Sequence, residues 1–523
     1  MISNKIIRNT FLALFLMTFS VYSQNKEENK VVEDIIKEAN ENSQLESLAH
    51  YLLDVIGPRL VGTPQMKQAN DWVVDTYDDW GISAESEQWG EWKAWERGIT
   101  HVDMVSPRVQ SLEGMQLAWS PSTPQEGITA EVIAIPRIKD SLDFVKWLPN
   151  VKGKFVLTSM KQITGRPDEN WEEFATETSY ERMKQQRDSL TKEWLQNIAR
   201  TGYGRRGIIK AFEDAGAAGI LSSYWSKGFG VNRIFSSRTE NIPTLDIEME
   251  DYTMLYRLTE SGNTPTLKVV AQSKDLGVVP TFNTIGKIEG KELPNEYVIL
   301  SAHLDSWDGA TGATDNGTGT ILMMEVMRIL KKVYPNPKRT ILVGHWGSEE
   351  QGLNGSRAFV EDHPEIVEHV QAVFNQDNGT GRVIEISGAG YLNAYDYISR
   401  WMYPVPREIK DQIKTDFPGS PSSGGSDNAS FVAAGVPAFY LSALDWSYRK
   451  YTWHTNRDTY DKIVFDDVRS NVILTAIMAY MASEDPNLAS REKIVLPIDP
   501  RTGEQKIWPE QRSPKRRGGL DEN

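Results

Sequence analysis

Acidic and imidazole side chains follow several apolar stretches of this chain, each where a buried strand would end. The set contains two histidines, three aspartates and two glutamates: His303, Asp305, Asp315, Glu349, Glu350, Asp377 and His454. The carboxyl ends of strands in an open α/β sheet border one crevice, so side chains at these positions are expected to converge on one rim. The sequence therefore predicts one polar site assembled from distant segments.

The charge of this set indicates metal binding. No lysine or arginine stands beside these residues in the motif cores, and so many carboxylates stay ionised together only if cations neutralise them. Carboxylate oxygens mixed with imidazoles suit Zn²⁺, and this number of ligands fits two ions better than one. A carboxylate bridging ions about 3.5–4 Å apart would let both act on one water, and one glutamate of the Glu349–Glu350 pair suits the proton transfer.

Other familiar catalytic motifs are absent from the sequence. The chain has no cysteine, which excludes thiolate nucleophiles, cysteine-ligated zinc, iron–sulfur clusters and disulfides. It also has no G-x-S-x-G elbow, no phosphate-binding loop ending in Gly-Lys-Ser/Thr, no G-x-G-x-x-G after a strand and no H-E-x-x-H. The sequence therefore argues against a serine hydrolase, a P-loop enzyme and a metallopeptidase of the H-E-x-x-H type.

Alternating strands and helices must position these residues. Apolar runs predict strands at 297–302 and 340–343, with a helix from about Thr320 to Lys332 between them. Strands that alternate with helices of this length favour an α/β sheet covered by helices on both faces. Between about 127 and 272 the pattern changes to short strands with turns, which indicates a separate domain inserted in the chain.

The order of the motifs resembles that of the co-catalytic zinc exopeptidases, which include aminopeptidase Y, bacterial leucyl aminopeptidases and glutamate carboxypeptidases. H-x-D comes first, followed by D-N-G after a glycine-rich loop, then E-E, D and a late H. Within this family, the chain resembles the carboxypeptidase Q branch in the stretches 303–308, 349–352, 424–427 and 434–437. Similarity to the catalytic domain of the family covers about 45–126 and 280–485.

The resemblance implies two zinc ions per chain and five ligands. Asp315 would bridge the two ions. One ion would be completed by His303 and Asp377, and the other by Glu350 and His454. Because all five matched positions hold ligands, the resemblance argues against a degenerate descendant that has lost its metals.

The resemblance also implies roles for two further residues and a reaction. Glu349 matches the general base that takes a proton from water and passes it to the leaving amine. Asp305 would accept a hydrogen bond from His303 and hold its tautomer. The implied reaction is hydrolysis of a terminal bond of short peptides, as a dipeptidase or carboxypeptidase or as an aminopeptidase. Two alternatives are a glutaminyl cyclase-like aminoacyltransferase, which uses one zinc, and a non-catalytic binding ectodomain on the same scaffold.

A domain organisation follows from the resemblance. We expect an α/β fold in which a three-layer zinc-peptidase domain, with a mixed sheet between helices, carries an inserted β-rich protease-associated domain. The expected boundaries are 1–23 for a signal peptide, 24–126 for the first part of the catalytic domain, 127–275 for the insertion, 276–486 for the catalytic domain with the metal site, and 487–523 for a C-terminal tail.

The first residues are typical of an export signal. Lys5 and Arg8 precede a short apolar stretch from Phe11 to Tyr22, and small residues near Ser23 offer a cleavage site. The alternative, an uncleaved membrane anchor, needs about 20 apolar residues, more than this stretch provides. We therefore expect a secreted or periplasmic protein that has no membrane contact after cleavage.

Composition limits the partners. The 523 residues include 57 lysines and arginines against 72 aspartates and glutamates, a net charge of −15, which argues against a nucleic-acid or polybasic membrane-surface protein. The chain is 39% hydrophobic, which provides enough apolar material for a packed core. The expected partners are short peptide substrates, and the resemblance alone makes a homodimer plausible.

Overall fold

The computed structural model describes residues 30–519, so the expected signal peptide at 1–23 lies outside the described residues. The strands are β1 (Ser83–Ser106), β2 (Gln110–Leu112), β3 (Gly114–Gln116), β4 (Ile128–Ala134), β5 (Phe155–Leu157), β6 (Gly219–Ser222), β7 (Thr244–Ile247), β8 (Thr266–Ile288), β9 (Leu293–His303), β10 (Arg339–Trp346), β11 (Val370–Asn375), β12 (Val383–Ser387), β13 (Lys414–Asp416), β14 (Ala438–Ala443) and β15 (Arg517–Gly518).

The helices are α1 (30–41), α2 (Leu45–His50), α3 (Pro64–Asp79), α4 (Ser141–Trp147), α5 (Asp168–Phe174), α6 (Glu177–Arg200), α7 (Gly204–Asp214), α8 (Met249–Glu260), α9 (Thr318–Val333), α10 (Asn354–Asp362), α11 (Pro364–Val367), α12 (Ala394–Met402), α13 (Arg407–Lys410), α14 (Asn428–Ala433), α15 (Tyr448–Tyr451) and α16 (Phe465–Glu484). Short helical turns of π or 3₁₀ type occur at Tyr51–Ile56, Leu148–Val151, Ala313–Gly317 and Tyr460–Lys462. No helix in the described part of the chain is both long and apolar enough to span a membrane.

A mixed sheet forms the centre of the larger part of the molecule, as the sequence predicts. Its strands follow the order β13–β12–β14–β11–β9–β10–β8. β9 runs parallel to its neighbours β10 and β11, and β11 runs parallel to β14. β8 is antiparallel to β10, and β12 is antiparallel to β14 but parallel to β13. The predicted strands at 297–302 and 340–343 and the predicted helix from about Thr320 to Lys332 are confirmed as β9, β10 and α9.

Helices flank this sheet and bury their apolar faces on it. α9 and α16 pack against each other and against the central strands, and the first thirteen residues of α9, 318–330, are all buried. A helix that is buried on all sides needs apolar residues around its whole circumference, and α9 has them in the run Ile321–Met324. Other helices that contact strands of the sheet include α3, α10 and α14.

The part of the chain between β1 and β8, called the inserted segment below, forms a second layered unit. β4, β5, β6 and β7 pair in parallel and are accompanied by helices α4 to α8. Phe155 and Leu157 of β5 pack in a core with Tyr252 of α8, whereas Val156 packs in another core with Phe212 of α7. Successive side chains of a strand point to opposite faces, so both faces of this small sheet are covered.

A long antiparallel ribbon joins the two units. β1 and β8 pair from Ser83 opposite Lys287 to Ser106 opposite Thr266, with register shifts along the way. One end of β8 pairs with β10 of the larger sheet, and the other end pairs with β4 of the inserted segment. The ribbon therefore links the inserted segment to the larger unit through backbone hydrogen bonds.

The C-terminal segment returns to the larger unit. The indole N–H of Trp508 donates to the carbonyl of Val432 at 2.9 Å, and Arg516 forms ion pairs with Glu361 and Asp362. β15 then pairs with β1 beside Trp92. The end of the described chain is thereby brought close to the rim at which the parallel strands end.

Candidate metal centre

The sequence-predicted site residues all lie at strand ends or in the loops that follow. His303 is the last residue of β9, and Asp377 lies just after β11. Asp315 lies in the turn that leads into α9, Glu350 lies in the loop after β10, and His454 follows α15. Because β9, β10 and β11 are parallel neighbours, their carboxyl ends meet at one edge, which brings these residues together.

One group of potential ligands consists of His303, Asp315 and Asp377, all of them buried. The Nε2 atom of His303 lies 3.1 Å from Oδ1 of Asp377 and 3.5 Å from Oδ1 of Asp315. Three ligand atoms of this group lie within 4.8 Å of one another. One imidazole and two carboxylates at such separations form a set that could hold a cation such as Zn²⁺.

A second group of potential ligands consists of Asp315, Glu350 and His454. The Nε2 atom of His454 lies 2.9 Å from Oε2 of Glu350 and 3.3 Å from Oδ2 of Asp315. Asp315 thus presents one carboxylate oxygen to each histidine and is shared by both groups. The peptide bond that follows Asp315 is cis.

Two carboxylate oxygens of these residues are left without a hydrogen bond in the described part of the chain, as expected of atoms that could bind a metal. Within the described residues, Oδ2 of Asp315 and Oε1 of Glu350 are buried and accept no hydrogen bond, and Nδ1 of His454 has no partner. Buried carboxylate oxygens are normally paired, because desolvation without compensation costs free energy. Two imidazoles and three carboxylates, two of which keep an unpaired buried oxygen, fit Zn²⁺, which takes nitrogen and oxygen ligands.

The pKa values of the cluster reflect its crowded negative charge. Burial, reinforced by Asp377 and Asp427, raises the pKa of the Glu349 carboxyl well above its usual range, although His303 opposes the shift. Burial also raises the pKa of Asp427 to about 7. Burial alone would lower the pKa of His303, but the carboxylates of Asp377 and Glu349 raise it well above its usual value. Such a cluster favours a bound cation, because a cation relieves the repulsion between its carboxylates.

Asp305 organises the loop that carries the acidic pair. Its Oδ1 accepts a hydrogen bond from the backbone N–H of Glu349 at 3.0 Å, and its Oδ2 accepts one from the N–H of Glu350 at 3.3 Å. The nearest partner of Nδ1 of His303 is the main-chain carbonyl of Asp305 at 2.9 Å, with the carboxylate at 3.5 Å. The contact expected between His303 and Asp305 therefore involves both the main-chain carbonyl and the carboxylate of Asp305.

Two residues that support the site were not identified from the sequence. The buried guanidinium of Arg59 donates to the carbonyls of Leu304 and Gly312, at 2.7 and 2.9 Å, and so joins the two ends of the loop between His303 and Asp315. The carboxylate of Asp458 accepts a hydrogen bond from the N–H of Asp315 at 3.0 Å. The only sequence signal for Arg59 is its place after a Gly-Pro break, and Asp458 has none beyond its nearness to His454.

Aromatic side chains surround His454. The ring of Trp453 stacks on its imidazole with centroids 3.9 Å apart, and Trp307 lies 5.8 Å away. Phe235, from the inserted segment, meets the same imidazole edge-on at 5.3 Å. The backbone N–H of Ile234 also donates to the carbonyl of His454 at 2.8 Å. The inserted segment therefore forms one wall of the site and holds the loop of a candidate ligand.

Comparisons with known proteins agree with this geometry. Residues 283–478 match the family model of Peptidase family M28. Carboxypeptidase Q from Bos taurus is 26% identical over 453 residues, which are 85% of this chain and 86% of that protein. A solved Peptidase M28 precursor from Shewanella amazonensis is 24% identical with a TM-score of 0.65, covering 88% of this chain and 98% of that one. A solved zinc aminopeptidase from Bacillus subtilis is 20% identical with a TM-score of 0.55, covering 86% and 97%.

The family match and the geometry coincide in the same part of the chain. All seven candidate residues lie within the matched range, from His303 to His454. The solved structures share the fold along most of the chain, including the mixed sheet whose edge carries the site. The match of residues 283–478 to Peptidase family M28 and the similarity to carboxypeptidase Q along most of the chain both indicate a zinc metallopeptidase.

Proposed function

We propose that this protein is an exported di-zinc exopeptidase that hydrolyses terminal bonds of short peptides. The observation that carries the proposal is the orientation of Asp315, whose two carboxylate oxygens lie 3.5 Å from His303 and 3.3 Å from His454. One carboxylate shared by two sets of three ligands is the arrangement expected of a bridging residue in a two-metal site. The names of relatives that are carboxypeptidases and zinc aminopeptidases support the same chemistry.

His303, Asp315 and Asp377 would hold one zinc ion, and Asp315, Glu350 and His454 would hold the other. When bound, the ions supply Lewis acidity, which makes a water molecule more acidic and polarises the peptide carbonyl. The two histidines are held by neighbouring groups, since the carbonyl of Asp305 lies against Nδ1 of His303 and the ring of Trp453 stacks on His454. Fixed ligand orientation of this kind lowers the cost of reorganisation when substrate binds.

Glu349 is the proposed general base. It is a half-buried carboxylate that interacts electrostatically with His303, Asp377 and Glu350, yet it is a member of neither ligand group. Its backbone is held by Asp305, which keeps its side chain next to the ligands. From this position Glu349 would take a proton from the attacking water and deliver it to the nitrogen of the leaving amine.

Two further features support the proposal. Lys5, Arg8 and the apolar stretch that follows are typical of an export signal and support a secreted or periplasmic location. The inserted segment reaches His454 through Ile234 and Phe235, so it closes one side of the cleft and favours short peptides over folded substrates.

The test is turnover by the purified mature chain loaded with zinc. The substrates are a free dipeptide, the same dipeptide blocked at either end, and an aminoacyl anilide. We expect cleavage of the free dipeptide, loss of activity with a chelator, recovery with zinc, and loss in Glu349→Ala without loss of metal. Glu365→Ala, which changes an exposed glutamate, is the matched control and should keep full activity.

Failure of the metal-loaded wild type to cleave any of these peptides would overturn the proposal. One zinc per chain together with cyclisation of peptides that begin with glutamine would favour the cyclase-like aminoacyltransferase. Peptide binding without turnover, in a protein that has two zinc ions, would favour the non-catalytic ectodomain.

A further inference from the structure

A cavity of about 590 Å³ extends outward from the metal ligand candidate Glu350. Trp92, Trp119 and Trp307 form aromatic parts of its wall. The inserted segment contributes Arg206 and Arg238 to the wall, and the C-terminal segment contributes residues next to β15. The cavity therefore starts at the proposed reaction centre and ends among groups that none of the assigned roles uses.

The wall of this cavity is cationic. Its charged side chains are four cations and two carboxylates: Lys93, Arg206, Arg238, Lys515, Glu240 and Glu350. Glu350 is a proposed metal ligand, and Lys93 already pairs with Asp275 at 3.5 Å. Neither Arg206 nor Arg238 forms an ion pair with another side chain in the described range 30–519. These two guanidinium groups are therefore available to an anionic group of a ligand.

Backbone hydrogen bonds connect the two elements that carry these exposed arginines. Arg206 lies in the first turn of α7, and the buried Glu213 lies near the end of the same helix. Oε1 of Glu213 accepts hydrogen bonds from the backbone N–H groups of Glu240 and Asn241, at 2.9 and 2.6 Å. These bonds hold the backbone next to Arg238 against helix α7, which carries Arg206.

Unpartnered polar groups line the same cavity as Glu350 and the arginines. The indole N–H of Trp307 and the side-chain amide of Gln351 are buried in the cavity wall and have no hydrogen-bond partner among the described residues. Gln351 directly follows Glu350, and the ring of Trp307 lies 5.8 Å from that of His454. Buried donors are normally satisfied, so these two groups indicate a ligand that supplies acceptors.

We propose that Arg206 and Arg238 bind a carboxylate of the substrate while its scissile bond lies at the metal ligands, with Trp307 and Gln351 donating hydrogen bonds to the intervening peptide. This inference rests on the proposed exopeptidase function and adds the class of substrate. A guanidinium forms strong, often bidentate bonds with a carboxylate, and an amine would be repelled from the same place. If the carboxylate is the C-terminal one, the enzyme is a dipeptidase or carboxypeptidase.

The test compares three peptides with the zinc-loaded full chain. Ala-Ala has a free terminal carboxylate, Ala-Ala amide has none, and Ala-Glu amide has only a side-chain carboxylate. The variants are Arg206→Gln, Arg238→Gln and the double variant. Arg205→Gln is the matched control, because Arg205 neighbours Arg206 on α7 and is exposed but does not line the cavity.

We expect wild type to prefer Ala-Ala over its amide, and the double variant to raise KM for Ala-Ala by about 10- to 100-fold with little change in kcat. Arg205→Gln should behave as wild type. A preference of the wild type for Ala-Glu amide over Ala-Ala amide, lost in the double variant, would assign the arginines to a side-chain carboxylate. Binding of Ala-Ala and its amide to inactive Glu349→Gln, followed by tryptophan fluorescence, gives a second readout that does not depend on turnover.

The outcomes separate the two proposals. Equal KM values for Ala-Ala and both amides in wild type, or an equal loss of all three peptides in the double variant, would overturn the carboxylate site and leave the peptidase intact. No turnover of any peptide by the zinc-loaded wild type would overturn the peptidase proposal itself.

Discussion

The carboxylate of Asp305 accepts a hydrogen bond from the backbone N–H of Glu349, with 3.0 Å between oxygen and nitrogen. Its other oxygen accepts from the N–H of Glu350, and its main-chain carbonyl binds Nδ1 of His303. One residue therefore orients the proposed base and two proposed ligands, which come from two neighbouring strands. The sequence marks Asp305 only as the end of an H-x-D motif, whereas the fold shows how many groups depend on it.

Replacing Asp305 should weaken metal binding. Asp305→Ala removes both acceptors, so the loop with Glu349 and Glu350 loses its fixed orientation. We expect the affinity for zinc to fall by about 10- to 100-fold, as is usual when a group that orients ligands is lost. Competition with a chelator of known affinity measures the change.

The control for Asp305→Ala is Asp308→Asn. Asp308 lies in the same loop and pairs with Arg97 at 2.8 Å, but it contacts none of the proposed ligands. The Asp308→Asn variant should lower the stability of the folded chain without changing its affinity for zinc. Equal affinity in wild type and Asp305→Ala would contradict the assigned role.

Replacing Asp315 should remove more metal than replacing any other ligand. Because its two oxygens face both histidines, Asp315→Ala deprives both groups of a ligand. We expect about zero to one zinc per chain in Asp315→Ala, whereas Asp377→Ala and His454→Ala each damage one group and should keep about one. Elemental analysis after dialysis gives the stoichiometry. A full complement of two ions in Asp315→Ala would show that this carboxylate does not bridge.

Metal removal should destabilise the folded chain. The buried carboxylates repel one another without a cation, and a ligand that binds only the folded state adds RT ln(1 + [L]/Kd) to its stability. At zinc concentrations of about 100 times Kd we expect a gain of roughly 2.7 kcal/mol over the metal-free chain. Thermal unfolding with and without zinc measures it. Asp315→Ala should show a smaller gain. An unfolding temperature of the wild type that does not change when zinc is added would argue against a specific site.

Acid should destabilise the chain through His345. Burial lowers the pKa of His345 to about 3, and its Nε2 lies 2.7 Å from the hydroxyl of Tyr77. In the unfolded chain the pKa of the His345 imidazole is about 6.5, so below that pH the unfolded state binds a proton that the folded state does not bind. The stabilisation is therefore complete above pH 6.5 and decreases as the pH falls towards 3.

The change between pH 7 and pH 5.5 should be about 1 kcal/mol from this residue. Urea unfolding at the two pH values, compared between wild type and His345→Gln, isolates its share, because glutamine keeps an acceptor for Tyr77. His369→Gln replaces an exposed histidine and should keep the wild-type difference. A pH dependence that is the same in wild type and His345→Gln would refute the assignment.

The local pattern of the sequence was enough to predict the elements next to the site. The apolar run before His303 predicts β9, and the helix predicted from about Thr320 to Lys332 is α9. Both predictions succeed because the spacing of apolar residues along the chain is the main signal of buried strands and helices. The types and order of the candidate ligands were also readable, since each follows a strand that ends at one edge. These features depend on short stretches of chain and on the general rule for α/β sheets.

Only the tertiary structure decided which atoms meet. The two oxygens of Asp315 lie near two histidines that are more than 150 residues apart in the sequence. No local sequence pattern shows that these residues meet. Arg59 supports the loop after His303 from the far end of the sequence, and Arg206 and Arg238 line the cavity from the inserted segment. Single charged residues in polar stretches carry no periodic signal. Their roles arise when the β1–β8 ribbon brings the inserted segment to the edge of the catalytic sheet, because long-range packing is set by the whole chain.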